Sequence, residues 1–169
     1  MAARRTPSTV PQDPDTPLDQ AALVLRQFRV VFNEVKTHFQ QVEKQAGLGG
    51  AQIWALSLVQ KHPGIGVTEL SEAMDIHQST ASNLVRLLLK RDLVRSEKSS
   101  VDRRNVHLFA QPAAVAVLQQ VPGPYAGVLP DALRKLPEQT LSELHHHLGQ
   151  LLQVLQADSE AARKPLAEL

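Results

Sequence analysis

From Leu18 onward the apolar residues Leu18, Ala21, Leu25, Phe28, Phe32, Val35, Phe39 and Val42 recur at alternating steps of three and four. Such a spacing predicts one long helix with a single apolar seam. Thr16 and Pro17 supply its start, a capping hydroxyl followed by a residue whose missing N–H would be orphaned anyway, and Asp19 suits the first turn. Gly47 to Gly50 closes it. Ala51, Trp54, Ala55, Leu58 and Val59 give a second helix, ended by His62, Pro63 and Gly64. Thr68 then caps a short third helix through Met74, with Leu70, Ala73 and Met74 inward and Glu69 and Glu72 outward.

A fourth helix follows Asp75, Ile76 and His77. Ala81, Leu84, Val85 and Leu88 define its buried stripe, while Ser79, Ser82, Asn83, Arg86 and Lys90 repeat the same spacing on another face. That second face is small, hydrogen-bonding and cationic, and no carboxylate lies between His77 and Arg91. A merely solvated helix of this length mixes both signs. Leu93 to Glu97 reads as a strand, 98–104 as a polar turn and Asn105 to Phe109 as the returning strand, together a hairpin.

Ala113 to Val121 forms a small-residue helix, Pro122, Gly123 and Pro124 interrupt it, and Pro130 to Leu136 adds a helical turn. Pro137 opens a last long helix in which Leu141, Leu144, Leu148, Leu151 and Leu155 again step by three and four. The first helix carries more apolar stripe than one small domain covers, which points to a second subunit, and the last has a seam to pair with the first helix or with a symmetry mate. Residues 1–15, with Pro7, Pro11 and Pro14 among polar side chains, read as a solvated tail. The chain thus divides into a tail at 1–15, an N-terminal dimerisation helix at 16–46, a central lobe at 47–110 that holds the polar, cationic helix and the hairpin, and C-terminal dimerisation helices at 111–165.

Charge sharpens this picture. The 169 residues carry 18 Lys and Arg against 17 Asp and Glu, so indiscriminate coating of nucleic acid is disfavoured. Yet between His77 and His107 seven basic side chains (Arg86, Lys90, Arg91, Arg95, Lys98, Arg103, Arg104) face three acidic ones (Asp92, Glu97, Asp102). Positive charge is concentrated on one helix and one hairpin. The length leaves no room for a large catalytic fold and no Gly-rich or nucleophile-elbow signature appears, so an enzyme is not expected. Zero cysteines remove disulfides, thiolate metal sites and thiol redox sensing. No apolar run approaches the ~20 residues that span a bilayer, so no membrane partner and a cytoplasmic location are expected.

A short helix, a tight turn, a polar and basic second helix and a hairpin make a winged helix-turn-helix, in a protein that is mainly α with a small β-hairpin wing. Double-stranded DNA is the matching partner. Gln78, Ser79, Thr80, Ser82 and Asn83 can hydrogen-bond base edges or phosphates, Arg86 can reach a guanine edge or the backbone, and Lys90 and Lys98 suit phosphates. Arg103 suits the narrow minor groove.

These segments resemble the MarR family of transcriptional regulators over roughly Leu18 to Gln156. The carrying pieces are 64–74 (GIGVTELSEAM), 78–85 (QSTASNLV), 92–95 (DLVR) and a wing pattern matched by Asp102, Arg104 and Leu108. The resemblance implies a homodimer with interleaved first and last helices, bound to a pseudo-palindrome and released by a small ligand, commonly phenolic or a carboxylate. Asp102 and Arg104 would shape the wing, with Arg103 at its tip. Phe32 and Trp54 would lie at a ligand cavity between the dimer helices and the DNA-binding lobe. This sequence departs from the family at Asn83, commonly Arg, and at Asp92, commonly Gly.

His145, His146 and His147 are consecutive, and consecutive helical residues point about 100° apart, so they cannot share one ion. No metal and no cofactor are expected. A winged-helix dimer that binds protein instead of DNA is the alternative reading.

Overall fold

The computed structural model describes residues 19–98, 106–158 and 162–168. Its order is α1 (Gln20–Ala46), α2 (Gly50–Lys61), β1 (Ile65–Gly66), α3 (Val67–Ala73), α4 (Gln78–Lys90), β2 (Val94–Lys98), β3 (Val106–Ala110), α5 (Pro112–Gln119), α6 (Val128–Arg134) and α7 (Glu138–Leu155), then a 3-10 turn at Leu166–Glu168. The expected class holds: mostly helix, with one small antiparallel sheet.

α1 starts later than its sequence suggests. Asp19 has ψ 140 and occupies the N-cap position, with no side-chain cap bond, so it is not in the first turn; Thr16, Pro17 and Leu18 lie outside the described residues. Gly47 closes the helix at φ 63, a left-handed conformation that glycine adopts without a Cβ penalty, and its N–H reaches the carbonyl of Glu43.

The core is built on α2. Ile53, Ala55, Leu56 and Val59 are inaccessible to solvent, and Leu70, Ala81, Leu88, Leu108 and Ala114 converge on them from α3, α4, β3 and α5. Each such leucine removed from water contributes about 1.5–3 kcal/mol. α2 therefore serves as the axis around which the lobe is assembled, and it also touches α1.

The hairpin gains a third strand that the alternation pattern does not show. β1 pairs with β3, Ile65 opposite Leu108, and β3 pairs with β2, Ser96 opposite Leu108, giving the order β1-β3-β2. Two residues are too few to produce periodicity. His107 Nδ1 lies 2.8 Å from the Gly64 carbonyl and fastens the same edge.

Only Val35, His38 and Val42 of α1 are buried, and none of the 18 residues of α7 is. The ring edge of Phe39 abuts two glycines: side chains on Gly50 or Gly127 would run into it, at 2.9 Å for Gly127. The His38 Nε2 approaches the Pro124 carbonyl at 3.1 Å. These contacts tie the lower half of α1 to the segment entering α6.

Candidate nucleic-acid interface

The pattern of α4 is realised as read. Ala81, Leu84, Val85 and Leu88 are buried, and Gln78, Ser79, Ser82, Asn83, Arg86 and Lys90 are exposed, with Thr80 half-buried. Burying one stripe fixes the helix rotation, and rotation alone then presents the polar face. Among the described residues neither Arg86 nor Lys90 forms an ion pair with a carboxylate. Both cations are available to an anionic ligand.

Local bonds pre-order this face. Asn83 Oδ1 accepts from Arg86 Nη2 at 3.0 Å, so the guanidinium is aimed along the helix surface. Ser82 spends its hydroxyl hydrogen on the Gln78 carbonyl at 2.8 Å, leaving its lone pairs free to accept. Gln78 Nε2 donates to the Thr68 hydroxyl at 3.0 Å, joining α4 to α3 across the turn.

The turn is closed by backbone geometry. Asp75 has φ 50 and the Ile76 N–H reaches the Ser71 carbonyl at 3.0 Å, with Ile76 itself buried. Asp92, after α4, also takes a left-handed conformation at φ 53. An aspartate does the work commonly given to glycine there, at some steric cost. Arg91 Nη1 donates to the Gly47 carbonyl at 2.6 Å, so the trailing end of α4 is held by the end of α1.

α3 departs from its sequence reading in two places. Its N-cap is Gly66, whose N–H donates to Glu69 Oε2 at 2.8 Å; Thr68 lies inside the first turn, which frees its hydroxyl for Gln78. Ser71, not Ala73, faces inward, because Leu70, Ser71 and Met74 share one stripe of the helix and Ala73 points about 100° away from its middle.

On the hairpin, Arg95 pairs with Glu97 and its guanidinium carbon lies 4.6 Å from the centre of the Phe109 ring. Arg95 is thus engaged within the sheet. Lys98 is exposed at the end of β2. Asp102, Arg103 and Arg104 lie outside the described residues, so the tip of the wing is not placed.

Phe32 and Trp54 do not share a cavity. Phe32, 57% exposed, lines an apolar groove of about 550 Å³ between α1, α6 and α7, with Val31, Leu133, Leu144 and Leu148. Trp54 lines a separate cleft of about 400 Å³ with Phe39, Met74 and Tyr125. The two aromatics are more than five helical turns apart in sequence on different helices, and each faces its own neighbours. His146 and His147 meet edge to face at 5.3 Å on α7, and no group of three metal-ligating side chains is found among the described residues. No helix among them is long and apolar enough to cross a membrane.

Residues 46–105 match the model of the MarR family. The HTH-type transcriptional repressor MdtR of Bacillus subtilis is 20% identical over 136 residues, a stretch covering 80% of this chain and 88% of that protein. Among solved structures, a MepR-like protein complexed with pseudoligands superposes with a TM-score of 0.55 at 15% identity, over 79% of this chain and 94% of its own. A mutant MarR from E. coli complexed with operator DNA gives 0.53 at 14% identity, over 80% and 99%. FabT of Streptococcus pneumoniae in complex with DNA gives 0.51 at 13%, over 82% and 98%. At these identities the structural likeness speaks for the fold.

Proposed function

We propose that this chain, whose residues 46–105 match the model of the MarR family, acts as a homodimeric repressor of a pseudo-palindromic operator. The carrying observation is the face of α4: exposed from Gln78 to Lys90, free of carboxylates and holding an Arg86 already oriented by Asn83. Each subunit inserts this helix into a major groove. Gln78, Ser79, Thr80, Ser82, Asn83 and Arg86 face the bases or the adjoining phosphates, and Lys90 and Lys98 take phosphates. The wing, with Arg103 at its tip and Arg104 and Asp102 shaping it, enters the flanking minor groove. Two-fold symmetry sets half-sites about 10 bp apart.

The second subunit is called for by α1 and α7. Val31 of α1 and Leu144 and Leu151 of α7 leave an apolar groove open to water in the single chain, which a soluble monomer rarely tolerates. A copy of the same chain offers the same surfaces in return, the self-complementarity of a two-fold interface. Repression follows from steric occlusion of a promoter. Its relief follows when a small phenolic or carboxylate ligand binds one spacing of the two lobes better than the other.

The test is titration of the purified protein onto its own upstream intergenic DNA and onto a scrambled control at several salt concentrations. Selective binding with a steep salt slope is expected. Equal, weak binding to both, together with a dimer in solution, would favour a winged-helix module whose partner is a protein.

A further inference from the structure

The hydrogen bonds that order the exposed face of α4 also determine which polar atoms remain there for a ligand. Guanidinium nitrogens only donate, so the Asn83 atom that meets Arg86 Nη2 at 3.0 Å is the carbonyl oxygen, and chemistry fixes the orientation of that amide. A backbone carbonyl only accepts, so Ser82 is the donor in its 2.8 Å bond to Gln78. Asn83 is left with its amide N–H groups, Arg86 with the unused N–H groups of its fork, and Ser82 with lone pairs alone. All three residues are exposed, and among the described residues no carboxylate pairs with Arg86.

At about 100° per residue, Arg86 falls between Ser82 and Asn83 around the helix axis, and a long helical side chain leans back over the turn that carries them. That is the direction of the N-terminal end of α4, the end of a recognition helix that meets base edges. The row therefore reads acceptor, cationic donor fork, neutral donor. In the major groove guanine offers O6 and N7, acceptors that a bidentate arginine spans, and its paired cytosine offers the N4 amino donor beside them. Adenine offers a donor where guanine has O6, and an asparagine reads it with carbonyl and amide together. The Asn83 carbonyl is already engaged. A further hydrogen on it would bring the adenine amino group against the guanidinium, donor facing donor.

We infer that Asn83 and Arg86 read DNA as one unit, in which Asn83 is the positioning residue that aims the Arg86 fork at O6 and N7 of a guanine, while Ser82 accepts from the amino group of the paired cytosine. A fork already held loses less rotamer freedom on binding than a swinging one. Each half-site then contains a G·C pair whose selection depends on both Arg86 and Asn83. This inference rests on the DNA-binding reading of α4 and adds to it the base that is read.

The experiment selects bound duplexes from a pool randomised over both half-sites, with the full-length protein and with Asn83→Ala, Asn83→Asp and Arg86→Lys. Anisotropy titrations on the selected duplex and on its G·C-to-A·T counterpart follow. The parent should favour G·C at one position of each half-site by about 5- to 150-fold, the worth of one bidentate contact. Arg86→Lys should lose most of that ratio and keep the salt slope, because lysine retains the charge but not the fork. Asn83→Ala should lose it at the same base pair, although Arg86 is intact. Asn83→Asp keeps an oxygen for the guanidinium, so it should retain the guanine preference while binding all sequences more weakly. Circular dichroism should match the parent throughout, since these side chains lie off the buried stripe of α4. A guanine preference that survives Asn83→Ala, an Asn83→Asp variant as unselective as Asn83→Ala, or an adenine at the position Asn83 controls would overturn the inference and leave the DNA-binding reading standing. A parent that enriches no sequence would remove that reading and this inference with it.

Discussion

The side-chain amide of Gln78 donates a 3.0 Å hydrogen bond to the hydroxyl of Thr68, ten residues earlier, and is the side-chain link between the two helices of the helix-turn-helix. The bond is exposed, so its net contribution to stability is small, about 0.5–1.5 kcal/mol at most. Its value lies in direction: it holds the first side chain of α4 against α3 instead of letting it sweep solvent. Thr68→Val removes the acceptor while keeping the shape. We expect a urea midpoint close to that of the parent, with weakened operator affinity in fluorescence anisotropy; unchanged affinity would show that Gln78 is not positioned by Thr68.

Arg86 is the side chain on which the DNA-binding reading depends most. Arg86→Ala should cost about 1–3 kcal/mol of operator affinity and relax sequence preference at one position, whereas Lys90→Ala should weaken all sequences alike and flatten the salt slope. Combining Arg86→Ala with Arg103→Ala should abolish selective binding. Circular dichroism of the Arg86 and Lys90 variants should match the parent, because those two side chains lie off the buried stripe of α4. Retained selectivity in the double variant would remove α4 and the wing from the interface.

The open groove between α1, α6 and α7 makes a separate prediction about assembly. Val31→Glu places a carboxylate among Phe32, Leu133 and Leu144. Sedimentation velocity should then report a monomer with full helix content, and half-site occupancy should fall with it. A variant that sediments like the parent would assign the subunit contact to another surface.

Gly127 offers a test of the packing that joins α1 to α6. It sits at φ 100, and a Cβ there would lie 2.9 Å from the tip of the Phe39 ring. Gly127→Ala combines a disfavoured backbone conformation with overpacking, each worth about 1–3 kcal/mol. Chemical denaturation should show their combined loss, about 2–6 kcal/mol. Adding Phe39→Leu should return part of it, the non-additivity expected of residues in contact.

Much of the lobe is legible in the sequence because burial and period coincide there. Ala81, Leu84, Val85 and Leu88 are all buried, so their spacing alone rotates α4 and exposes Asn83 and Arg86. Where a local rule competes with tertiary contacts, the sequence misleads. Thr68 is a good cap by composition, but Glu69 bonds back to the N–H of Gly66 and the helix starts two residues earlier than a Thr68 cap requires. β1 is invisible because its two residues are strand only by pairing with His107 and Leu108. Phe32 and Trp54 look alike as large aromatics, and only packing sends one to the open groove between α1, α6 and α7 and the other to the cleft. The placement of 162–168 beside α1 and α2 has no local pattern at all; Pro165 and Ala167 gain their meaning from Phe39, Gly50 and Trp54, more than a hundred residues away.

The bond from Arg91 to the Gly47 carbonyl carries one more consequence. With Gln78 fastened to α3 at its leading end and Arg91 fastened to the end of α1 at its trailing end, α4 is pinned at both extremities. A rod held this way can neither roll about its axis nor slide along it while those bonds stand. It moves most readily together with α3 and the end of α1, as a key travels with the hand.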